Sequence, residues 1–324
     1  MLKPKAVTAG SSIPLVGVNL YALNNYTAAQ TVADGERTIS YIKDNLHANA
    51  VDIVWNMYAP SAHGNSVVAE STTLSATNVG ILTQIAQREH LIVEYRPLLF
   101  IMTNTAYTWE GYIKPHNPTQ WFNSYYVNNL PYLQMAQKYR ISEYVVGTEM
   151  NGLTGEPQWA GFLSQCAKIY HGSITYTAQQ HDYFPPDTQL PPTRLLGMDM
   201  YEPLKLPPSA PISEVVAAYE HFFANVPAAM LQRTAIQETG IEARAGAYSH
   251  PPFLWVTGTL DQAIQYDWFT AACETVKKFH MRGVFFWKVD LSDYPLTHPA
   301  SSLSTFEGKE GAAAISRCAS IIRG

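Results

Sequence analysis

The chain is sparing with charge and with cysteine. Asp, Glu, Lys and Arg make up 15% of its 324 residues, the formal net charge is -5, and no lysine- or arginine-rich run occurs. Nucleic acid and anionic membrane surfaces need a basic stripe to dock on, so neither is expected as a partner. The three cysteines, Cys166, Cys273 and Cys318, lie far apart and without metal-type spacing, and read as reduced, buried thiols. Apolar runs are strand-length and broken by polar groups, which excludes a spanning helix. Residues 1–14 lack a charged start, a long apolar stretch and a small-residue cleavage site, so the protein either stays inside the cell or has had a signal trimmed.

Other absences limit the chemistry. The ten histidines are scattered, and Asn19-Leu20-Tyr21 stands where a metal-dependent barrel carries His-x-His, so no zinc spacing is present. A Gly-x-Ser-x-Gly nucleophile motif is missing. After the first strand-like run there is no glycine-rich phosphate turn, which a doubly wound open sheet would normally place there. Neither a metal nor an organic cofactor is implied.

What the chain does have is alternation. Strand-like runs fall at Leu15 to Tyr21, Ala50 to Tyr58, Leu91 to Ile101, Glu143 to Met150, Gly172 to Gln179, Leu195 to Tyr201, Arg233 to Ile241 and Arg282 to Asp290. Helix-period segments separate most of them, at Gly35 to His47, Ala76 to His90, Pro118 to Arg140, Pro157 to His171, Ile212 to Asn225 and Thr259 to His280, with a last one at Gly311 to Ile322. The connection His181 to Thr193 is proline-rich and reads as a loop. Eight strand-helix repeats predict a (β/α)8 TIM barrel of α/β class, one catalytic domain over 1–324 with 1–14 as an N-terminal extension. Proline pairs at 185–186, 191–192, 207–208 and 251–252 read as stiffened rim loops.

In a barrel all strand C-termini open on one mouth, so Asn19, Trp55, Arg96, Glu149, Gln179, Tyr201, Glu238 and Trp287 are expected to converge there. Glu149 and Glu238 each end an apolar run before a turn, where a carboxylate is costly to desolvate. Paired carboxylates on a rim suit glycoside hydrolysis. Retention needs them about 5 to 5.5 Å apart and inversion about 6.5 to 9.5 Å. The competing roles are structural: Glu149 could pair with Arg96, and Tyr201 and Trp287 could pack the core. Asp52 and Asp199 stop short of the strand ends and read as hydrogen-bond network members. Trp55, Tyr58, Tyr107, Trp109, Trp121 and Trp287 are expected to line an extended sugar groove.

The chain resembles clan A of the glycoside hydrolases, and within it family 113, whose members are chiefly β-mannanases. The resemblance runs through Gly17-Val18-Asn19, Val145-Val146-Gly147-Thr148-Glu149, Ile174-Thr175-Tyr176-Thr177-Ala178, Leu196-Gly197-Met198-Asp199-Met200-Tyr201-Glu202-Pro203-Leu204, Gln237-Glu238-Thr239-Gly240, Gly283-Val284-Phe285-Phe286-Trp287 and Gly308-Lys309. It implies Glu149 as acid/base, Glu238 as nucleophile, Tyr201 as the hydroxyl orienting that nucleophile and Trp287 as the sugar platform. Two departures stand out. Thr148 precedes the acid/base where many clan members have Asn, and Arg96-Pro97-Leu98 replaces Lys-Pro and a polar residue near the sugar subsites.

The expected activity is retaining hydrolysis of a β-linked neutral hexose chain, most of all a β-1,4-mannan or manno-oligosaccharide. The alternatives are a β-glycosidase for gluco-, galacto- or amino-sugar linkages and a catalytically silent carbohydrate-binding barrel. The expected partner is the oligo- or polysaccharide substrate, and the expected state a monomer.

Overall fold

A computed structural model of the chain describes residues 13–102, 107–183, 189–251, 258–292 and 305–324. Eight parallel strands close into a barrel: β1 (Leu15–Tyr21), β2 (Ala50–Ala59), β3 (Ile92–Met102), β5 (Glu143–Thr148), β6 (Ser173–Gln179), β7 (Leu195–Asp199), β8 (Thr234–Thr239) and β9 (Gly283–Asp290), with β4 (Tyr107–Trp109) added antiparallel to the end of β3. Each barrel strand pairs with the next, β9 returns to β1, and the β2–β3 pairing completes the ring. Helices α1 (Ala28–Asp44), α2 (Ala76–Arg88), α3 (Pro118–Tyr139), α4 (Gln158–Ile169), α5 (Ile212–Phe223), α6 (Ala228–Leu231), α7 (Gln262–Phe279) and α8 (Glu310–Arg323) wrap the outside. The expected barrel is thereby observed. No described helix is long and apolar enough to cross a membrane.

Two expectations shift. Helix α1 starts seven residues before Gly35, because Thr27 caps it: its side chain accepts from Gln30 N–H while the Gln30 side chain accepts from Thr27 N–H. Gly35 instead lies mid-helix, where α2 crosses so closely that a Cβ would stand 2.7 Å from Leu82 Cδ2. The cysteine reading is corrected at two of three positions. Cys273 on α7 and Cys318 on α8 form a disulfide, their Cα atoms 5.4 Å apart across 45 residues of sequence. Spacing in the sequence conceals the side-by-side packing of the two helices. Cys166 is free and buried, and burial pushes its thiol up to about 12.

Rings fill the layer between barrel and helices, and two of the expected groove aromatics, Trp55 and Trp121, belong to it. Trp55 is fully buried and stacks on Tyr132 of α3 at 4.4 Å, so it does not reach the mouth. The reason is strand parity: Asp52 and Val54 point into the barrel, which turns the next residue, Trp55, outward. Trp121 packs between Phe122 and Tyr125. Tyr58 is buried beside Thr72, its hydroxyl 2.6 Å from the Thr72 Oγ1. The Tyr107 side chain and the 185–186 proline pair lie outside the described residues, as does Pro252.

Inside the barrel the packing is unusually polar. Leu15, Ala50 and Phe285 plug the lower end. Above them Glu143 accepts from Thr175 Oγ1 and from the Arg282 guanidinium, and Glu94 accepts from Gln237 Nε2 at 3.0 Å. One layer higher, Arg96 is completely buried. Its Nε lies 2.7 Å from Asp52 Oδ2, and its Nη2 donates to both the main-chain and side-chain oxygens of Gln237, each at 2.9 Å. Asn19 completes this layer, donating to Asp52 Oδ2 at 3.1 Å and to Gln237 O at 3.0 Å.

Candidate active site

The ladder slips at three strand ends, and those slips build the site. On β5, Val145 pairs with Thr175 but Thr148 with Thr177; on β8, Asp199 of β7 faces Glu238 where a regular register would bring Gln237; on β9, Leu20 of β1 faces Val289 after Val18 faced Phe286. Each is an extra residue in one strand, a bulge that re-aims the side chains beyond it. Through the bulge in β8 both Gln237 and Glu238 reach the interior, Gln237 accepting from Arg96 Nη2 and Glu238 from Arg96 Nη1. Directly after β5, Glu149 has φ +46, a left-handed conformation that costs a non-glycine residue of order 1 kcal/mol.

These turns open on a cavity of about 350 Å³ lined by Tyr21, Leu98, Trp109, Glu110, Glu149, Gln179, Gln180, Tyr201, Glu238 and Trp287. A larger hollow of about 690 Å³ lies at the opposite end, among the starts of β5, β6 and β7. It has no carboxylate in its lining, so the chemistry belongs to the smaller cavity. Of the eight expected rim residues, Glu149, Gln179, Tyr201, Glu238 and Trp287 line it. Asn19 and Arg96 do not: they sit one layer below, inward-facing but beneath the floor. Trp55, as described, is outside the barrel wall.

The two expected carboxyls have contrasting surroundings. Glu238 Oε1 accepts from Arg96 Nη1 at 3.0 Å and from the Tyr21 hydroxyl at 2.8 Å, and its Oε2 accepts from the Tyr201 hydroxyl at 3.0 Å. Three donors, one of them cationic, thus converge on this carboxyl. Glu149 accepts at Oε2 from Trp109 Nε1–H at 2.6 Å. Burial first, and then the negative Glu238, lift it to about 7, against the Trp109 hydrogen bond and Arg96. One carboxyl is thus surrounded by donors, while the other is raised toward neutrality.

Asp199 lies deeper, its Oδ1 3.6 Å from Arg96 Nη1. Burial and then Glu238 raise it well above the usual carboxylate range despite Arg96. Arg96 itself remains protonated, because Asp52, Asp199 and Glu238 outweigh its desolvation. Trp287 donates from Nε1 to the Tyr21 oxygen at 3.0 Å and meets that ring edge-on at 6.3 Å, which fixes the indole where it lines the cavity. Among the described residues no group of three His, Cys, Asp or Glu could hold a metal ion.

Sequence reasoning missed Tyr21, Glu110 and Gln180 in this lining. Tyr21 had a signal: it lies two residues beyond the inward-facing Asn19, hence on the same face and one layer higher. Glu110 had none, since it follows the short β4 in a loop and no strand pattern reaches it.

A closed parallel barrel whose mouth gathers a raised acid and an ion-paired carboxylate beside a tryptophan is the arrangement of a glycoside hydrolase. The sequence profile of Glycoside Hydrolase Family 113 matches residues 25–307. The chain belongs to that family and is a glycoside hydrolase. No curated protein sequence matches it. Among solved structures, a GH113 β-1,4-mannanase in complex superposes with a TM-score of 0.79 at 16% identity, covering 95% of this chain and 99% of that one. The GH113 β-mannanase AaManA from Alicyclobacillus acidocaldarius, in complex with ManMIm, gives 0.76 at 17% identity over 95% and 98%. A GH5_18 protein from Streptomyces cattleya in complex with GlcNAc gives 0.61 at 13% identity over 97% and 81%. At such identities these likenesses speak for the fold.

Proposed function

We propose that the protein cleaves β-1,4-linked mannan or manno-oligosaccharides with retention of anomeric configuration, through Glu238 as nucleophile and Glu149 as acid/base. The observation that carries this reading is the asymmetry of the two carboxyls. Glu238, held by Arg96, Tyr21 and Tyr201, is the group placed to attack an anomeric carbon. Glu149, lifted to about 7, is the group able to protonate a departing oxygen and then, as a carboxylate, take a proton from water.

The steps follow from that division. Glu238 Oε2 or Oε1 forms a bond to the anomeric carbon as the glycosidic C–O bond breaks, and the Glu149 proton goes to the leaving oxygen. Water then adds to the same carbon, its proton passes to Glu149, and the ester bond to Glu238 breaks. Arg96 and the two tyrosines steady the carboxylate that is regenerated, while Trp287 offers a flat apolar face under the reacting sugar. The mannan preference is supported by the family and by the mannanases it superposes on. Proton NMR of a manno-oligosaccharide digest tests the whole reading: the β-anomer should appear first. First appearance of the α-anomer would mean inversion, and cleavage confined to gluco- or galacto-configured chains would remove the mannan assignment alone.

A further inference from the structure

A third carboxyl lines the cavity, and the mechanism above makes no use of it. Glu110 is buried on the short turn Glu110–Tyr112, next to the Trp109 whose indole bonds Glu149. We infer that Glu110 is a specificity-determining residue on the leaving-group side, where its carboxyl hydrogen-bonds a hydroxyl of the departing sugar. The inference rests on the hydrolase reading just given.

Placement comes first. The acid/base protonates the leaving oxygen, so whatever stands beside Glu149 faces the departing unit. Trp109 links to Glu149 at 2.6 Å, and Glu110 follows it in the chain.

Rigidity comes second. The turn at 110–112 packs on the turn Asn151–Leu153 that follows Glu149, and two glycines allow it. A Cβ on Gly111 would stand 2.4 Å from the Trp109 ring, and one on Gly152 would stand 2.4 Å from the Ile113 oxygen. The indole, Glu110 and Glu149 are therefore held as one unit, as a contact that must read a hydroxyl position requires.

Protonation comes third. Glu110 faces Glu149, Glu238, Asp199 and Arg96, with the Tyr125 and Tyr176 hydroxyls also within electrostatic reach. Burial first, then Glu149 and Glu238, hold it well above the usual carboxylate range, against a hydrogen bond from its own N–H and the Arg96 charge. A protonated carboxyl in a dry site is a hydrogen-bond donor, and a sugar hydroxyl oxygen is an acceptor.

The test compares two substrates with the same reacting sugar, a manno-oligosaccharide and an aryl β-mannoside whose leaving group has no hydroxyl to contact. E110A and E110M should lower kcat/KM for the oligosaccharide about tenfold, mainly through KM, and leave the aryl glycoside within about threefold. E110Q, whose amide also donates, should stay within about threefold on both. Equal losses on the two substrates, or an E110Q as damaged as E110A, would overturn the inference and leave the two-glutamate mechanism intact. A wild type inert on both mannosides would remove the mannan assignment, and this inference, which rests on it, would fall with it. If neither E110A nor E110M folds, infrared difference spectra of wild type against E110Q at pH about 8 serve instead, where Glu149 is ionised. A protonated-carboxyl band that belongs to Glu110 and moves when mannose is added supports the inference; no such band, or an unmoved one, overturns it.

Discussion

Strand β5 begins and ends near a glutamate, and the two are treated in opposite ways. Glu143, at the lower layer, is given Thr175 and the Arg282 guanidinium and is closed off by Leu15, Ala50 and Phe285 beneath. Glu149, six residues on and past a bulge, is given Trp109 and an open cavity. The lower carboxylate has its partners supplied by the fold, so its charge is spent on holding strands together. The upper one is left short of partners, in a left-handed backbone, so its unmet demand is available to a ligand. The same division separates Arg282 from Arg96, which reaches upward to Glu238.

Substitutions ranked by effect can break or sharpen that contrast. E238A should cost at least about 10⁴-fold in kcat, with azide restoring turnover to a product of opposite anomeric configuration. E149A should cost about 10² to 10⁴-fold on poor leaving groups and far less on activated ones. Arg96→Met should lose activity as well as stability, since Glu238, Asp52 and Asp199 would remain buried without their cation. Arg282→Met should lower unfolding stability by about 3 kcal/mol while KM holds, because it strips Glu143 of its cation and removes a positive charge near Glu94, both in the lower layer. If Arg282→Met also abolished catalysis in folded protein, the two layers would not be separable.

The pH dependence follows from Glu149. A carboxyl whose folded value is raised to about 7 binds its proton more tightly in the folded state than in the unfolded one. Its favourable contribution is complete below the ordinary value near 4.5 and is lost as pH rises through about 7. The alkaline limb of kcat/KM should therefore fall near pH 7, and E149Q should gain thermal stability over wild type at pH about 8 but not at pH about 4. The smallest effect belongs to Trp55. Trp55→Phe should cost about 1 to 2 kcal/mol of stability through the lost stack on Tyr132 and leave KM unchanged.

The barrel was legible because eight apolar runs alternate with helical segments, and run ends agree with the observed strands to within a residue or two at most. Glu149, Glu238, Tyr201, Gln179 and Trp287 were legible as strand-end positions on the mouth. Trp55 was misplaced because strand-end position was read without parity, although the polar Asp52 and Asn56 on alternate residues mark the inward face. Arg96 and Asn19 were placed on the rim when they lie one layer below it, a depth that depends on strand stagger and not on local pattern. The bulges before Glu149 and at Gln237–Glu238 have no signature in a period of two, and the loop carrying Trp109 and Glu110 is tied to the site only in three dimensions. The Cys273–Cys318 bridge was hidden for the same reason.

The central claim, that Glu238 and not Glu149 bonds to the sugar, is tested most directly by trapping. A slow mannoside with an activated leaving group and fluorine beside the anomeric carbon should leave one sugar covalently attached after mixing with wild-type protein. Peptide mass spectrometry should find that sugar on the peptide containing Glu238. A label on the Glu149 peptide would reverse the two roles, and unlabelled protein that nevertheless turns the reagent over with inversion would contradict the double-displacement account.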